Sequence, residues 1–163
     1  MQKKTDSANV FKQRVTELYF DTVYRLALSR TGSRDYADDV VQEVFVRFMR
    51  TDTAFESEEH AKAWLIKVTI NCSKSVFSSA WFRKTVPLSE DLTFNDTHAG
   101  DVYLTVSKLP QKYRTVVHLF YYEDMPLKQI AEILNTKETT VKSQLHRARE
   151  MLKSMLGRDY DEL

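Results

Sequence analysis

The stretch LKQIAEILNTKETTVKSQLHRARE, residues 127–150, sets two apolar helical stripes on either side of a short polar turn. Leu127, Ile130, Ala131 and Leu134 recur at the spacing of one face of an α-helix. Asn135 suits the residue that closes such a helix, since Asn tolerates positive φ better than most side chains. Val141 opens the second stripe. At about 100° per residue, Val141, Leu145, Ala148 and Leu152 fall within a sector of about 60°. On the same wheel Arg149, Lys142, Lys153 and His146 lie between about 80° and 140°, with Ser143 and Arg147 near 200° and 240°. A narrow apolar face therefore backs a broad polar surface.

A basic helical face can be merely solvated. Three features favour DNA here. The preceding helix has helix-turn-helix length, the basic residues begin in the N-terminal turns that meet base edges in that motif, and Thr140, Ser143 and Gln144 add hydrogen-bonding groups.

Upstream, the composition predicts an all-α protein. The 163 residues include three Gly and three Pro, with 42% hydrophobic and 29% charged residues. These values argue against a turn-rich β protein or a disordered chain. A first helix is expected from Val10 to about Thr31, with Val15, Leu18, Tyr19, Thr22, Val23, Leu26 and Ala27 on one face and Gly32 as its stop. Ser33 is placed to cap the second, in which Ala37, Val40, Val41, Val44, Phe45 and Phe48 make a regular apolar stripe opposite Asp38, Asp39, Gln42, Glu43 and Arg50. Residues 51–59 form a polar connection containing Phe55. Ser57 suits the cap of a third helix, whose stripe is Ala61, Trp64, Leu65, Val68 and Cys72. Beyond Cys72 the apolar and basic residues no longer separate by face. Further on, Pro110 fits the first turn of a helix burying Tyr113, Val116, Val117 and Phe120 and ending near Tyr122.

Charge divides the chain into three. Residues 1–86 hold 14 Lys/Arg against 11 Asp/Glu, residues 87–107 none against 4, and residues 108–163 hold 10 against 8. With Pro87 and Gly100, the acidic strip reads as a flexible linker between two small helical domains, 1–86 and 108–163. A net charge of +1 implies weak DNA binding by the chain alone, because phosphate neutralisation supplies most non-specific affinity. The single cysteine, Cys72, precludes an intrachain disulfide and points to a reducing cytoplasm. The N-terminal residues look neither like a signal peptide nor like a membrane span.

In order and spacing, DDVVQEVFVRF (38–48), AWLIKVTIN (63–71) and LPQKYRTVVHLFYYEDMPLKQIAEIL (109–134), running into TVKSQLHRARE, resemble the extracytoplasmic-function (ECF) class of bacterial RNA polymerase sigma factors. The resemblance implies a promoter-specificity subunit with no enzymatic activity, cofactor or metal. Its region 2-like domain would bind the polymerase core and recognise and melt the −10 element, and its region 4-like helix-turn-helix would bind the −35 element. Asp38, Asp39, Gln42 and Glu43 match the motif that docks on the clamp coiled coil of the largest polymerase subunit. The flap of the second subunit and an anti-sigma factor are the other implied protein partners.

The same resemblance assigns −10 contacts to Phe55, His60, Asn71, Lys74, Phe77, Ser78, Trp81 and Arg83. It assigns −35 contacts to Thr140, Lys142, Ser143, His146, Arg147 and Arg149. For Phe77, Trp81 and Phe82, burial within the domain competes with stacking on bases. Three positions depart from the family pattern. Ser75 stands where many relatives are acidic, Ser78 where many carry Arg, and Lys137 where the recognition helix has its usual Ser cap. No extra domain is expected after Leu156.

Two other classes compete with this reading. A helix-turn-helix regulator that binds duplex DNA without polymerase would share the C-terminal pattern, but leaves DDVVQEVFVRF unexplained. An enzyme is disfavoured, since His60, His98, His118 and His146 are scattered and neither a metal-ligand spacing nor a phosphate-cradling glycine loop occurs.

Overall fold

The computed structural model describes residues 2–78 and 104–157, with the side chains of residues 75–78 outside that description. The described residues are helical and include no strand. The chain divides into two units, Met1–Val86 and Pro87–Leu163.

In the first unit, α1 (Gln2–Thr31), α2 (Arg34–Arg50) and α3 (Glu58–Ser78) pack around one core. Val15, Val23 and Ala27 of α1 meet Ala37, Val40, Val41, Val44 and Phe48 of α2 and Ala61, Leu65 and Cys72 of α3. The α2 stripe is buried as its periodicity requires, with Phe45 only partly covered. Helix α1 starts eight residues earlier than its apolar pattern does, because Gln2–Val10 is an exposed extension whose polar sequence carries no stripe. Leu18, expected on the inner face, is instead 54% exposed.

Gly32 closes α1 at φ +67°, donating its N–H to the Leu28 carbonyl at 2.8 Å. Ser33 occupies the N-cap position of α2 without a side-chain cap bond. The Thr31 hydroxyl takes over locally, donating to the Ser33 carbonyl at 3.1 Å and accepting from its N–H at 3.4 Å. The far end of α2 is closed from outside by Lys12, whose Nζ donates to the carbonyls of Met49 (3.2 Å) and Thr51 (2.8 Å). A lysine there satisfies otherwise unpaired carbonyls and meets the negative end of the helix dipole.

Ser57 does cap α3, its Oγ accepting the His60 N–H at 3.1 Å. Burial on α3 is wider than one stripe. Ile66, Thr69, Ile70 and Ser73 are also buried. Thr69 and Ser73 tolerate this because their hydroxyls donate to the carbonyls of Leu65 (2.6 Å) and Thr69 (2.7 Å), one turn back.

The second unit begins its described part at residue 104. Helix α4 (Gln111–Val117), with Pro110 at its N-cap position, continues as a π-helical turn, His118–Tyr122. Residues 115–119 are all buried, whereas Phe120 is only half-buried, contrary to its place on the expected stripe. A segment covered on several sides has no single stripe, and a π turn changes the angular step that α-periodicity assumes. Helix α5 (Leu127–Leu134) and helix α6 (Glu138–Leu156) complete the unit. No described helix is long and apolar enough to cross a membrane.

Candidate functional site

The turn between α5 and α6 sets the recognition helix. Asn135 takes φ 52°, ψ 51°, the left-handed conformation its sequence position called for. The N–H of Thr136 then donates to the Ala131 carbonyl at 3.0 Å and that of Asn135 to Glu132 at 3.3 Å, satisfying the open carbonyls of α5. Lys137 is the N-cap residue of α6 and supplies no side-chain cap, and neither does Thr136. Glu138 in the first turn is the compensating feature, a carboxylate at the positive end of the helix.

Val141, Leu145, Ala148 and Leu152 are the buried residues of α6. Lys142, Ser143, His146 and Arg147 are exposed, and Thr140 and Arg149 are half-buried. Lys142, Ser143 and His146 make no hydrogen bond or ion pair among the described residues, so their polar groups face solvent. The two arginines are different. Arg147 hydrogen-bonds the Tyr113 hydroxyl and, with Lys112 nearby, lowers that phenol's pKa below its ordinary value of 10. Arg149 donates its Nε–H to the Tyr121 hydroxyl at 2.7 Å.

In the first unit the connection between α2 and α3 is built on Phe55. Its half-buried ring packs against Phe48 (centroids 5.5 Å apart), Trp64 (5.8 Å), His60 (5.4 Å) and Phe11 (6.3 Å). Such offset and edge-to-face contacts fix the loop to the core. The ring named as a base contact is thus engaged by four others, and His60 is the exposed member of the group. His60 Nδ1 accepts the Glu56 N–H at 3.1 Å, which leaves Nε2 as its outward polar atom. Asn71 and Lys74 are exposed on α3 with no polar partner among the described residues. Phe77 and Ser78 lie on the last turn of α3 with their side chains outside the described set, and Trp81 and Arg83 lie outside the described residues altogether.

On α2, Asp38, Asp39, Gln42 and Glu43 are all exposed. Glu43 pairs with Arg47 at 2.8 Å one turn on, while Asp38, Asp39 and Gln42 have no polar partner among the described residues. They border an open groove of about 750 Å³ whose floor is Phe20, Val41, Phe45, Val46 and Met49. Phe20 (46%), Val46 (37%) and Met49 (50%) are large apolar side chains left exposed there. The sequence reading missed these three. Gln42, Val46 and Met49 follow one another at helical spacing, a second stripe that the dominant core stripe hides.

Comparison with known proteins decides the family. Residues 16–83 match the family description "Sigma-70 region 2" and residues 99–152 match "Sigma-70, region 4". The ECF RNA polymerase sigma factor SigM of Bacillus subtilis is 30% identical over 162 residues, with 91% of this chain and 96% of that protein covered. The chain belongs to the ECF sigma factors.

Among other relatives of this sigma factor, SigW of Bacillus subtilis is 28% identical, covering 87% of each chain. The fold of this chain is similar to that of the sigma factor RpoE of Bartonella quintana, solved in complex with the anti-sigma factor NepR. The TM-score is 0.72 at 22% identity, with 91% of this chain and 98% of that one covered. CnrH, solved with the cytosolic domain of CnrY, has a TM-score of 0.65 at 22% identity, covering 93% and 89%. The region 2 match runs from midway along α1 through α3, and the region 4 match takes in α4, α5 and α6 as far as residue 152.

Proposed function

We propose that this ECF sigma factor brings RNA polymerase core to promoters through three surfaces of distinct chemistry, acting in the cytoplasm without enzymatic activity of its own. The groove beside Asp38, Asp39 and Gln42 docks the clamp coiled coil of the largest polymerase subunit. It combines apolar area, which supplies affinity, with a carboxylate rim, which supplies orientation and partner choice. Glu43 takes part through its ion pair with Arg47, which holds both side chains along the rim.

The loop 51–57 and the outer face of α3 meet the −10 element. Phe55 anchors the loop, while His60, Asn71 and Lys74 offer the polar and cationic groups that separated bases and their phosphates require. Stacking a base on an aromatic ring contributes roughly 1–3 kcal/mol, a role left to Phe77 and Trp81, with Ser78 and Arg83 beside them in the sequence. Helix α6 lies in the major groove of the −35 element. Thr140, Lys142, Ser143 and His146 form its reading edge together with Arg147, and a bidentate contact from Arg or Lys to guanine is worth about 1–3 kcal/mol of discrimination. Region 4 also meets the flap of the second polymerase subunit. An anti-sigma factor restrains the protein by covering these surfaces.

The observation that carries this reading is the division of α6: four buried apolar residues hold the helix while Lys142, Ser143 and His146 extend unpartnered. A net charge of +1 gives weak non-specific affinity for DNA, which supports delivery by polymerase. In vitro transcription with purified core polymerase on genomic fragments tests it. Discrete promoter-dependent transcripts are expected, and their absence from a preparation proven to bind core would overturn the reading. Tight duplex binding in a gel shift without polymerase would instead indicate a free-standing regulator.

A further inference from the structure

Arg147 and Arg149 flank the buried Ala148, and α4 with its π turn holds both. Arg149 is the more fully held. Its Nε–H donates to the Tyr121 hydroxyl, and its guanidinium carbon lies 5.6 Å from the Tyr121 ring centre and 5.8 Å from that of Phe120. Those two rings meet edge to face, 5.0 Å apart at 85°, so the guanidinium sits against an aromatic corner. The two residues belong to the π turn His118–Tyr122, and Tyr121 stands 28 positions before Arg149 in the chain. Beyond those ring contacts, the terminal guanidinium nitrogens have no hydrogen-bond or ion-pair partner among the described residues.

We propose that Tyr121 is a positioning residue for promoter binding: by taking the Nε–H of Arg149 and flanking its guanidinium with Phe120, it presents the two terminal nitrogens as a prealigned fork for a DNA phosphate. The proposal rests on the reading of α6 as the −35 helix. Two features select a phosphate over a base. Arg149 stands in the fourth turn of α6, whereas base edges are met from the N-terminal turns. It also lies near 80° on the wheel, beside the buried sector and far from the outward direction near 190°, so it faces the flank of the groove. A planar fork whose inner nitrogen is already bonded keeps its two outer ones for parallel hydrogen bonds to phosphate oxygens. Such a contact fixes register and carries no sequence information.

The test uses holoenzyme reconstituted with Tyr121→Phe, with Arg149→Gln and with both. Affinity is measured on one promoter and on a set with single −35 substitutions, across a range of salt. Tyr121 is 46% exposed, so removing its hydroxyl leaves the packing in place. Tyr121→Phe should weaken binding about 2- to 10-fold, the range for one lost hydrogen bond, and by the same factor on every −35 variant. Arg149→Gln should reduce the salt slope by about 0.9, one phosphate's share, and the double variant should bind no worse than Arg149→Gln alone. Unchanged binding by Tyr121→Phe overturns the proposal. So does a Tyr121→Phe effect that persists in the Arg149→Gln background, or a loss of discrimination confined to one base position. If native holoenzyme itself ignores the −35 sequence, the reading of α6 falls, and the proposal with it; with −35 dependence intact, a failed Tyr121 prediction condemns the proposal alone.

Discussion

Helices α2 and α6 bury the same kind of stripe and expose opposite chemistry. Ala37, Val40, Val41, Val44 and Phe48 are buried on α2, and Val141, Leu145, Ala148 and Leu152 on α6. Outside those stripes α2 presents Asp38, Asp39 and Gln42 beside exposed Val46 and Met49, while α6 presents Lys142, Ser143, His146 and Arg147. Carboxylates would repel a phosphate backbone, and exposed methionine and valine gain nothing from it; together they suit a protein helix. Cations with hydroxyl and imidazole groups suit a duplex, and exposed apolar area is absent from the first turns of α6. The inward faces make both helices possible, and only the outward faces assign different partners.

The largest effect should come from removing the feature the two helices share. Phe48 is fully buried and touches the rings of Phe55 and Trp64. Phe48→Ala should destabilise the first unit by about 3–5 kcal/mol, the usual cost of emptying such a site, and loosen the loop 51–57. Thermal unfolding followed by tryptophan fluorescence reports this, since Trp64 lies in the same cluster. An unchanged midpoint would mean that the aromatic cluster does not hold the loop.

The next two variants act on the outward faces and should leave folding intact. Met49→Asp places a charge on the groove floor, half exposed to begin with, and should weaken core polymerase binding by about 2 kcal/mol or more, as expected of an interface centre. Its preference among −35 sequences should be unchanged. Arg147→Ala should do the reverse, costing about 1–3 kcal/mol at the preferred −35 sequence and nothing in core binding. If both variants gave the same promoter profile, the contrast between the helices would have no functional content.

How much of this could be read beforehand follows from burial geometry. The α6 face was legible because one side is covered and the other is open, so a 100° step identifies each residue. Helix α3 was only half legible: Ile66 and Ile70 are buried beside the Ala61–Cys72 stripe, and Thr69 and Ser73 join them by bonding backbone carbonyls that no hydropathy pattern reveals. The motif assigned Arg149 to DNA, but its partner Tyr121 lies 28 residues away on a π turn, and neither fact has a local signature. Phe55 was noticed as conspicuous and read outward; four surrounding rings, the furthest in sequence being Phe11, turn it inward.

The start of α6 gives the smallest effect and separates folding from reading most directly. Lys137 holds the N-cap position with extended backbone and no side-chain bond, so the first N–H groups of the helix lack the acceptor that Ser or Asp would provide. Its positive charge also faces the positive end of the helix dipole. Lys137→Ser should therefore stabilise the second unit by about 1 kcal/mol, which raises its melting temperature by about 4–8 °C for a unit of this size. The first unit should melt as before, because its helices contain no part of this turn. Thr136→Ala should change little, since the Thr136 hydroxyl caps nothing and its backbone N–H, which does close α5, remains. If Lys137→Ser left the melting temperature unchanged, the cap would not be what limits α6. If it stabilised the unit but weakened promoter binding equally on all −35 variants, Lys137 would be holding a phosphate, and the missing cap would be the cost of a cation at the tip of the recognition helix.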